Sequence, residues 1–173
     1  MIMSTYSIRE RMPEDLESCA EVLKRVYHKD RYPVQGVEHA IEFLSGPHTL
    51  QAWVAISDAG DTIGHIVMSS SAKTDLSIEL WKEQHGHVDN IAALERLFVD
   101  PGARGNGVAE ALMRTVTAAG QGRGLRVVLF ALEKDQGAMR LYEKVGWETY
   151  GTQRYQYGDG KEMDAVCYVS PAS

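Results

Sequence analysis

The stretch Arg104-Gly105-Asn106-Gly107-Val108-Ala109 carries the residue types and order in this chain that could most directly do chemistry. It follows the apolar run Leu97-Phe98-Val99 and then Asp100-Pro101-Gly102-Ala103, where the proline ends strand pairing. The glycines let the backbone turn with its amides facing inward, and helical spacing begins near Val108. The first amides of a helix lack intrahelical acceptors and sit at the positive end of the helix dipole, so such a turn suits an anion, above all a phosphate. Arg104 adds a full positive charge. The plain alternative is an ordinary strand-to-helix turn with an exposed arginine. The usual nucleotide signatures do not fit. GxxxxGK[ST] is absent, and reading GxGxxG from Gly105 gives Gly-Asn-Gly-Val-Ala-Glu, which fails at its last position.

Ionisable groups cluster before this turn. Glu95 lies on the apolar run itself, and alternation along a strand puts it on the face of Leu97 and Val99 unless a bulge intervenes. Its plain alternative is an edge carboxylate paired with Arg96 or Arg126. His85, His87 and Asp89 precede the run; taken singly, each reads as a solvated loop residue. Cys19 and Cys167 are far apart and show no CxxC or Cys/His spacing, so they read as reduced core thiols, with neither a disulfide framework nor a metal site.

The elements that must position these groups follow from periodicity. Tyr6 to Glu10 alternates as a short strand. Pro13-Glu14-Asp15 opens a helix whose apolar stripe is Leu16, Cys19, Ala20, Leu23, Val26 and Tyr27. A second helix is expected over 37–44. Two β-rich runs, 51–57 and 62–70, are joined by Asp58-Ala59-Gly60-Asp61 as an antiparallel hairpin. Residues 72–91 hold a short helix around Leu76, Ile78, Leu80 and Trp81, then loop, and read as a substrate-side flap. A strand over 93–99, the glycine turn, a helix from Val108 to Gly120 and a nearly continuous apolar strand over 125–132 make a βαβ unit with two parallel strands. Asp135 is expected to cap a helix with the stripe Ala138, Leu141, Tyr142 and Val145, ended by Gly146. Residues 147–157 and 161–169 close the chain as a hairpin around Gly158-Asp159-Gly160.

The chain has 173 residues, 44% hydrophobic and 24% charged, which suits one domain, here 4–170, with a sizeable core. No run approaches the roughly 18 apolar residues of a membrane span, and no apolar signal core precedes Arg9, so a cytoplasmic protein without a membrane partner is expected. A formal net charge of −6 argues against a non-specific nucleic-acid binder and suits a cationic small molecule somewhat better.

Arg-x-x-Gly-x-Ala at 104–109, preceded by Val-x-Pro, resembles the pyrophosphate loop of the GCN5-related N-acetyltransferase (GNAT) superfamily. A second segment, Asp135 to Trp147, is similar to that family's Asn-x-x-Ala-x-x-x-Tyr-x-x-x-Gly-Phe stretch, with Asp135 in place of Asn and Trp147 in place of Phe. The resemblance implies an α/β fold with a mixed, mostly antiparallel sheet of about seven strands and about four helices, splayed between the fourth and fifth strands. It also implies acetyl-CoA as co-substrate, held by Leu97, Phe98 and Val99, by Arg104, Gly105, Asn106, Gly107, Val108 and Ala109, and by Asp135 and Ala138, with no metal. A carboxylate at 135 cannot donate like an amide, which changes one pantetheine contact.

Acetyl transfer to an amine needs a proton removed, because an alkylamine with a pKa near 10 is mostly charged at neutral pH. It also needs a donor for the developing oxyanion and an acid for the leaving thiolate. The resemblance implies a backbone amide around Leu97 to Val99 as the donor and Tyr142 as the acid. Taken alone, Tyr142 also reads as a core aromatic. Glu95 is the candidate base, and His85, His87 or Asp89 could serve instead or act through water. The expected acceptor is a small-molecule primary amine, for which a di- or polyamine would find Glu79, Glu83, Asp89 and Glu95. A protein N-terminus or lysine remains open. So do a non-catalytic acyl-CoA sensor and a nucleotide-binding switch. A homodimer through the closing hairpin is compatible with the family but specified by nothing in the sequence.

Overall fold

The helical and alternating patterns resolve, in a computed structural model that describes residues 5–33, 35–72, 75–86 and 89–172, into seven strands and five α-helices. These are β1 (Tyr6–Glu10), α1 (Leu16–Asp30), α2 (Ala40–Leu44), β2 (Thr49–Ser57), β3 (Thr62–Ser70), α3 (Leu76–His85), β4 (Ile91–Val99), α4 (Val108–Gly122), β5 (Arg126–Leu132), α5 (Gln136–Lys144), β6 (Glu148–Tyr157) and β7 (Lys161–Val169). Short 3-10 turns cover Pro13–Asp15 and Pro101–Ala103. Hydrogen-bonded strand order is β1-β2-β3-β4-β5-β7-β6. The β1–β2, β5–β7 and β6–β7 pairs are antiparallel, and β4–β5 is parallel, with Ile91–Ala93 in register with Arg126–Val128. β5 keeps its register with β7 as far as Leu132 and Ala165. This is the expected mixed sheet of seven strands; it is not closed, and five helices stand where about four are expected. Among the described residues, no helix is long and apolar enough to cross a membrane.

Backbone contacts divide the chain into two compact units, one of residues up to Met68 with Glu95–Val116, the other of Ser69–Leu94 with residues from Thr117 onward. In the first, the α1 stripe buries Cys19, Ala20, Val22, Leu23 and Val26 against Ala40 and Leu44 of α2, Val54 of β2 and Phe98 of β4. Asp15 sets the entry to α1. Its carboxylate accepts from the Met12 amide at 2.7 Å and pairs with Arg9 at 2.7 Å, which holds its pKa below the usual carboxylate value. The helix proper therefore begins at Leu16, one tight turn after Pro13. The β2–β3 turn closes with Ser57 accepting from Gly60 N–H at 2.9 Å and donating to Asp61 at 2.8 Å.

In the second unit, Ile78 packs with Ile91, Ala93, Val128 and Val169, with Trp81 and Tyr150 at the margin. Residues 76–85 thus form the expected short helix, ten residues long and packed. Asp75 supplies the reason, because its carboxylate accepts from Ile78 N–H at 2.9 Å and Ser77 O–H at 2.7 Å, a true N-cap that holds the apolar side inward. α5 ends as expected. Gly146 has φ 89, Trp147 N–H reaches the Tyr142 carbonyl at 3.0 Å, and Gly146 N–H reaches that of Glu143 at 3.1 Å, the pair of bonds that makes a Schellman end. Its start differs from expectation. Asp135 stands at the N-cap and its carbonyl accepts from Met139 N–H at 3.1 Å, but its carboxylate makes no cap bond, because ψ is 59° and not extended. Cys19 and Cys167 are free, buried thiols, and burial pushes their pKa values up to about 12 and about 11.

Candidate functional site

The glycine turn between β4 and α4 forms as its sequence predicts. Asp100 caps the 3-10 turn, accepting from Gly102 N–H at 3.2 Å, and Asn106 folds back to donate to the Ala103 carbonyl at 3.0 Å. Gly105 and Gly107 take φ 84 and 79, a region costly for residues with a Cβ, and the Gly107 carbonyl accepts the first α4 bond, from Ala111 at 3.0 Å. Gly107 is therefore the N-cap, and helix geometry gives the Val108 and Ala109 amides no acceptor within α4. Arg104 through Gly107 are exposed, Val108 is buried and Ala109 half-buried. Two ion pairs staple the turn to α1: Arg25 with Asp100 at 2.7 Å and Arg104 with Asp30 at 2.5 Å. The Arg25 partner, with Gly102 N–H, holds the Asp100 pKa down against its burial. Asp30 escaped the sequence reading, since nothing marks a helix-end carboxylate 74 residues from its partner.

On β4 the expected alternation fails at one residue. Arg96 has φ 54, and the burial pattern runs buried from Ile91 to Leu94, half-buried from Glu95 to Leu97, then buried at Phe98 and Val99. A left-handed residue inside a strand makes a bulge and interrupts the alternation from which the face of Glu95 is read. Glu95 also realises its plain alternative in part, since it pairs with Arg96 at 2.9 Å with only 16% of its side chain exposed. The Arg96 guanidinium lies 4.0 Å from the Phe43 ring centroid and its Nε donates to the Phe43 carbonyl.

Behind the bulge lies a buried histidine that the sequence reading passed over. His65 of β3 is fully buried and stacks on Phe98 with centroids 4.9 Å apart. Its Nε2 is 2.9 Å from Arg11 Nη1, which also donates to the Leu44 carbonyl at 2.7 Å, and its Nδ1 is 2.9 Å from the Arg96 carbonyl. An arginine can only donate, so Nε2 must accept, and the ring proton is on Nδ1, donating to Arg96. The imidazole is neutral: burial, with Arg11 and Arg96 nearby, pushes its pKa down to about 3.

The second unit carries the rest of the expected set. Tyr142 is buried on α5, edge-on to Tyr168 with centroids 5.4 Å apart. Ala138 is half-buried and Asp135 exposed. His85 stacks on Trp81 at 3.9 Å and Asp89 is exposed, while His87 lies outside the described residues. Arg126 donates to the Ser170 carbonyl at 2.8 and 3.0 Å and stands 5.7 Å from the Trp81 ring centroid. Among the described residues, no group of three His, Cys, Asp or Glu side chains is placed to hold a metal ion.

A mixed sheet whose fourth strand runs through a glycine turn into a helix start defines an α/β protein with a turn of the kind that suits an anion. Residues 10–147 match the model of the Acetyltransferase (GNAT) family, and the chain belongs to that family. It is 39% identical over 79 residues to uncharacterized N-acetyltransferases of Mycobacterium bovis and Mycobacterium tuberculosis, a match covering 45% of this chain and 51% of theirs. The chain thus spans about half the length of the curated relatives it matches. Its fold is similar to the Escherichia coli ribosomal-protein-S18-alanine N-acetyltransferase (TM-score 0.72, 19% identity, 98% of this chain and 95% of that one). It is also similar to Arabidopsis thaliana NAA60 in complex with acetyl-CoA (0.71, 20%, 95% and 98%). A Sinorhizobium meliloti phosphinothricin acetyltransferase in complex with AcCoA is a third neighbour (0.71, 16%, 99% and 89%).

Proposed function

We propose that this chain is an N-acetyltransferase that moves an acetyl group from acetyl-CoA to a primary amine of a small molecule by direct attack. One observation carries the reading: the turn from Arg104 to Ala109 opens α4 with Gly105 and Gly107 at φ 84 and 79, in a chain of the acetyltransferase family. Exposed glycines at a helix start suit a pyrophosphate. The two glycines let the ligand approach the backbone, and a Cβ at Gly105 would meet nothing within 4 Å, so that surface is open. Structural neighbours of the same fold hold acetyl-CoA, which supports the choice of donor.

When bound, the donor supplies an acetyl thioester. The chain's own residues then have three tasks. Arg104 and the amides of Val108 and Ala109 hold the diphosphate against its charge. A backbone amide of the β4 segment Leu97 to Val99 donates to the carbonyl oxygen as it gains charge. Tyr142 gives its proton to the departing sulfur, while the amine's proton leaves through Glu95, directly or by way of water. The C–N bond forms and the C–S bond breaks; the ammonium gives up one proton to solvent before attack and a second on forming the amide, and the second is matched by the proton the thiolate gains. Ala138 and Asp135 line the pantetheine arm, where Asp135 accepts hydrogen bonds and cannot give them.

An amine-panel assay with free-thiol detection tests catalysis and acceptor class together, with peptides carrying a free N-terminus or lysine included. Release of thiol with a small amine is expected. Tyr142→Phe should lower turnover by roughly ten- to a thousand-fold with little change in acetyl-CoA affinity, and unchanged turnover would remove the acid role. A chain that binds acetyl-CoA yet releases no thiol with any amine would be a sensor. Stronger thermal stabilisation by ATP or NAD than by CoA would reject the pyrophosphate assignment.

A further inference from the structure

Two non-glycine residues among those described have positive φ. Arg31, at 59, ends α1, where a left-handed residue is ordinary. Arg96, at 54, sits inside a strand, where nothing local favours that conformation. Such a residue persists only where its surroundings hold it. Here three contacts do so. His65 Nδ1–H holds the carbonyl at 2.9 Å, the Phe43 carbonyl and ring hold the guanidinium, and Glu95 pairs with it at 2.9 Å. The side-chain contacts fix the arginine's own head. The His65 bond acts instead on the peptide plane that joins Arg96 to Leu97.

That plane is rigid and trans, so its N–H points opposite to its C=O. With the Arg96 carbonyl turned toward His65, the Leu97 amide is aimed away from that buried pocket. We propose that His65 is a positioning residue for acyl transfer: held by Arg11, its ring pins the Arg96 carbonyl and so aims the Leu97 N–H as the donor to the carbonyl oxygen. This rests on the acetyltransferase reading above. Arg11 belongs to the same device. By donating to Nε2 at 2.9 Å it leaves Nδ1 as the only ring position for the proton. The His65 ring also stacks on Phe98, which ties the next residue of the strand to the same anchor.

His65→Phe keeps the stack on Phe98 and removes both ring nitrogens, whereas His65→Gln keeps an acceptor and a donor. His65→Phe should lower kcat about ten- to a hundred-fold, short of the full loss of an oxyanion donor, with KM for acetyl-CoA within about twofold. His65→Gln should recover most of the turnover. A kcat unchanged in His65→Phe, or lowered equally in both variants, would overturn the proposal. Should His65→Phe fail to fold, long-range 1H–15N correlation on the wild-type imidazole still decides. The Nδ1–H neutral form is expected at pH 7, and an Nε2–H or doubly protonated ring would overturn the clamp. Wild-type protein that neither binds CoA nor acetylates any amine would instead defeat the acetyltransferase reading, with the ring measurement unaffected.

Discussion

Acid should weaken this fold well above the range where carboxylates titrate, and His65 is the reason. Its ordinary pKa of 6.5 is pushed down to about 3 by burial, with Arg11 and Arg96 adding repulsion. The unfolded chain takes up the proton as pH falls through 6.5, while the folded chain refuses it until about 3. Between those values the unfolded state binds more protons, so stability is fully present above 6.5 and drains away as pH drops. From pH 7 to pH 5 the loss through this residue alone is about 2 kcal/mol, at 1.36 kcal/mol per unit. Asp15 and Asp100 have pKa values below 3.8 and add their own losses only at lower pH. Urea unfolding of the wild type and of His65→Gln at pH 7 and pH 5 isolates the histidine, because every other group cancels between the two proteins. The wild type should lose about 2 kcal/mol more than the variant over this interval. An equal loss in both would show that the buried imidazole is not held neutral and would refute the reasoning.

Gly64→Ala tests how β3 supports the cradle. A Cβ there would meet Val108 Cγ1 at 2.9 Å and Leu112 Cδ1 at 3.0 Å, both on α4, with Ala55 Cβ at 3.4 Å. The expected result is a stability loss of about 1–3 kcal/mol in thermal unfolding, with weaker CoA binding as the first turn of α4 shifts. Asp30→Asn removes the partner of Arg104 without removing the arginine. Both side chains are more than a third exposed, so the pair is worth at most about 1 kcal/mol, and CoA should bind up to about fivefold more tightly by calorimetry. Unchanged or weaker binding would mean that Asp30 orients Arg104 and does not compete for it.

Much of this molecule is legible from neighbouring residues. The Arg104–Ala109 turn, the glycine end of α5 at Gly146 and the β-hairpins are local devices, in which a few adjacent side chains and backbone angles settle the conformation. So the glycine turn into the start of α4 could be read before any coordinates. The helix of the short insertion is legible too, but not its packing, because Ile78 joins a core with Ile91, Val128 and Val169, partners that a window of sequence does not contain.

The β4 bulge lies between these cases. Alternation sets the face of Glu95 only along a regular strand, and a single left-handed residue at Arg96 interrupts that regularity. That conformation is paid for by contacts with His65, 31 residues away, and with Phe43, 53 residues away. The pairing of Arg11 with His65 spans 54 residues and that of Arg104 with Asp30 spans 74. A lone histidine on a strand and an aspartate at a helix end carry no pattern of their own. Burial gives them their chemistry: it strips water from His65, leaves Arg11 as its hydrogen-bond donor and so decides which ring nitrogen carries the proton. The sequence alone determined the family-type turn and the order of elements around it. Only the tertiary structure decided how β4 bends beside that turn and which side chains hold the bend, because those forces act between residues that become neighbours when the chain folds.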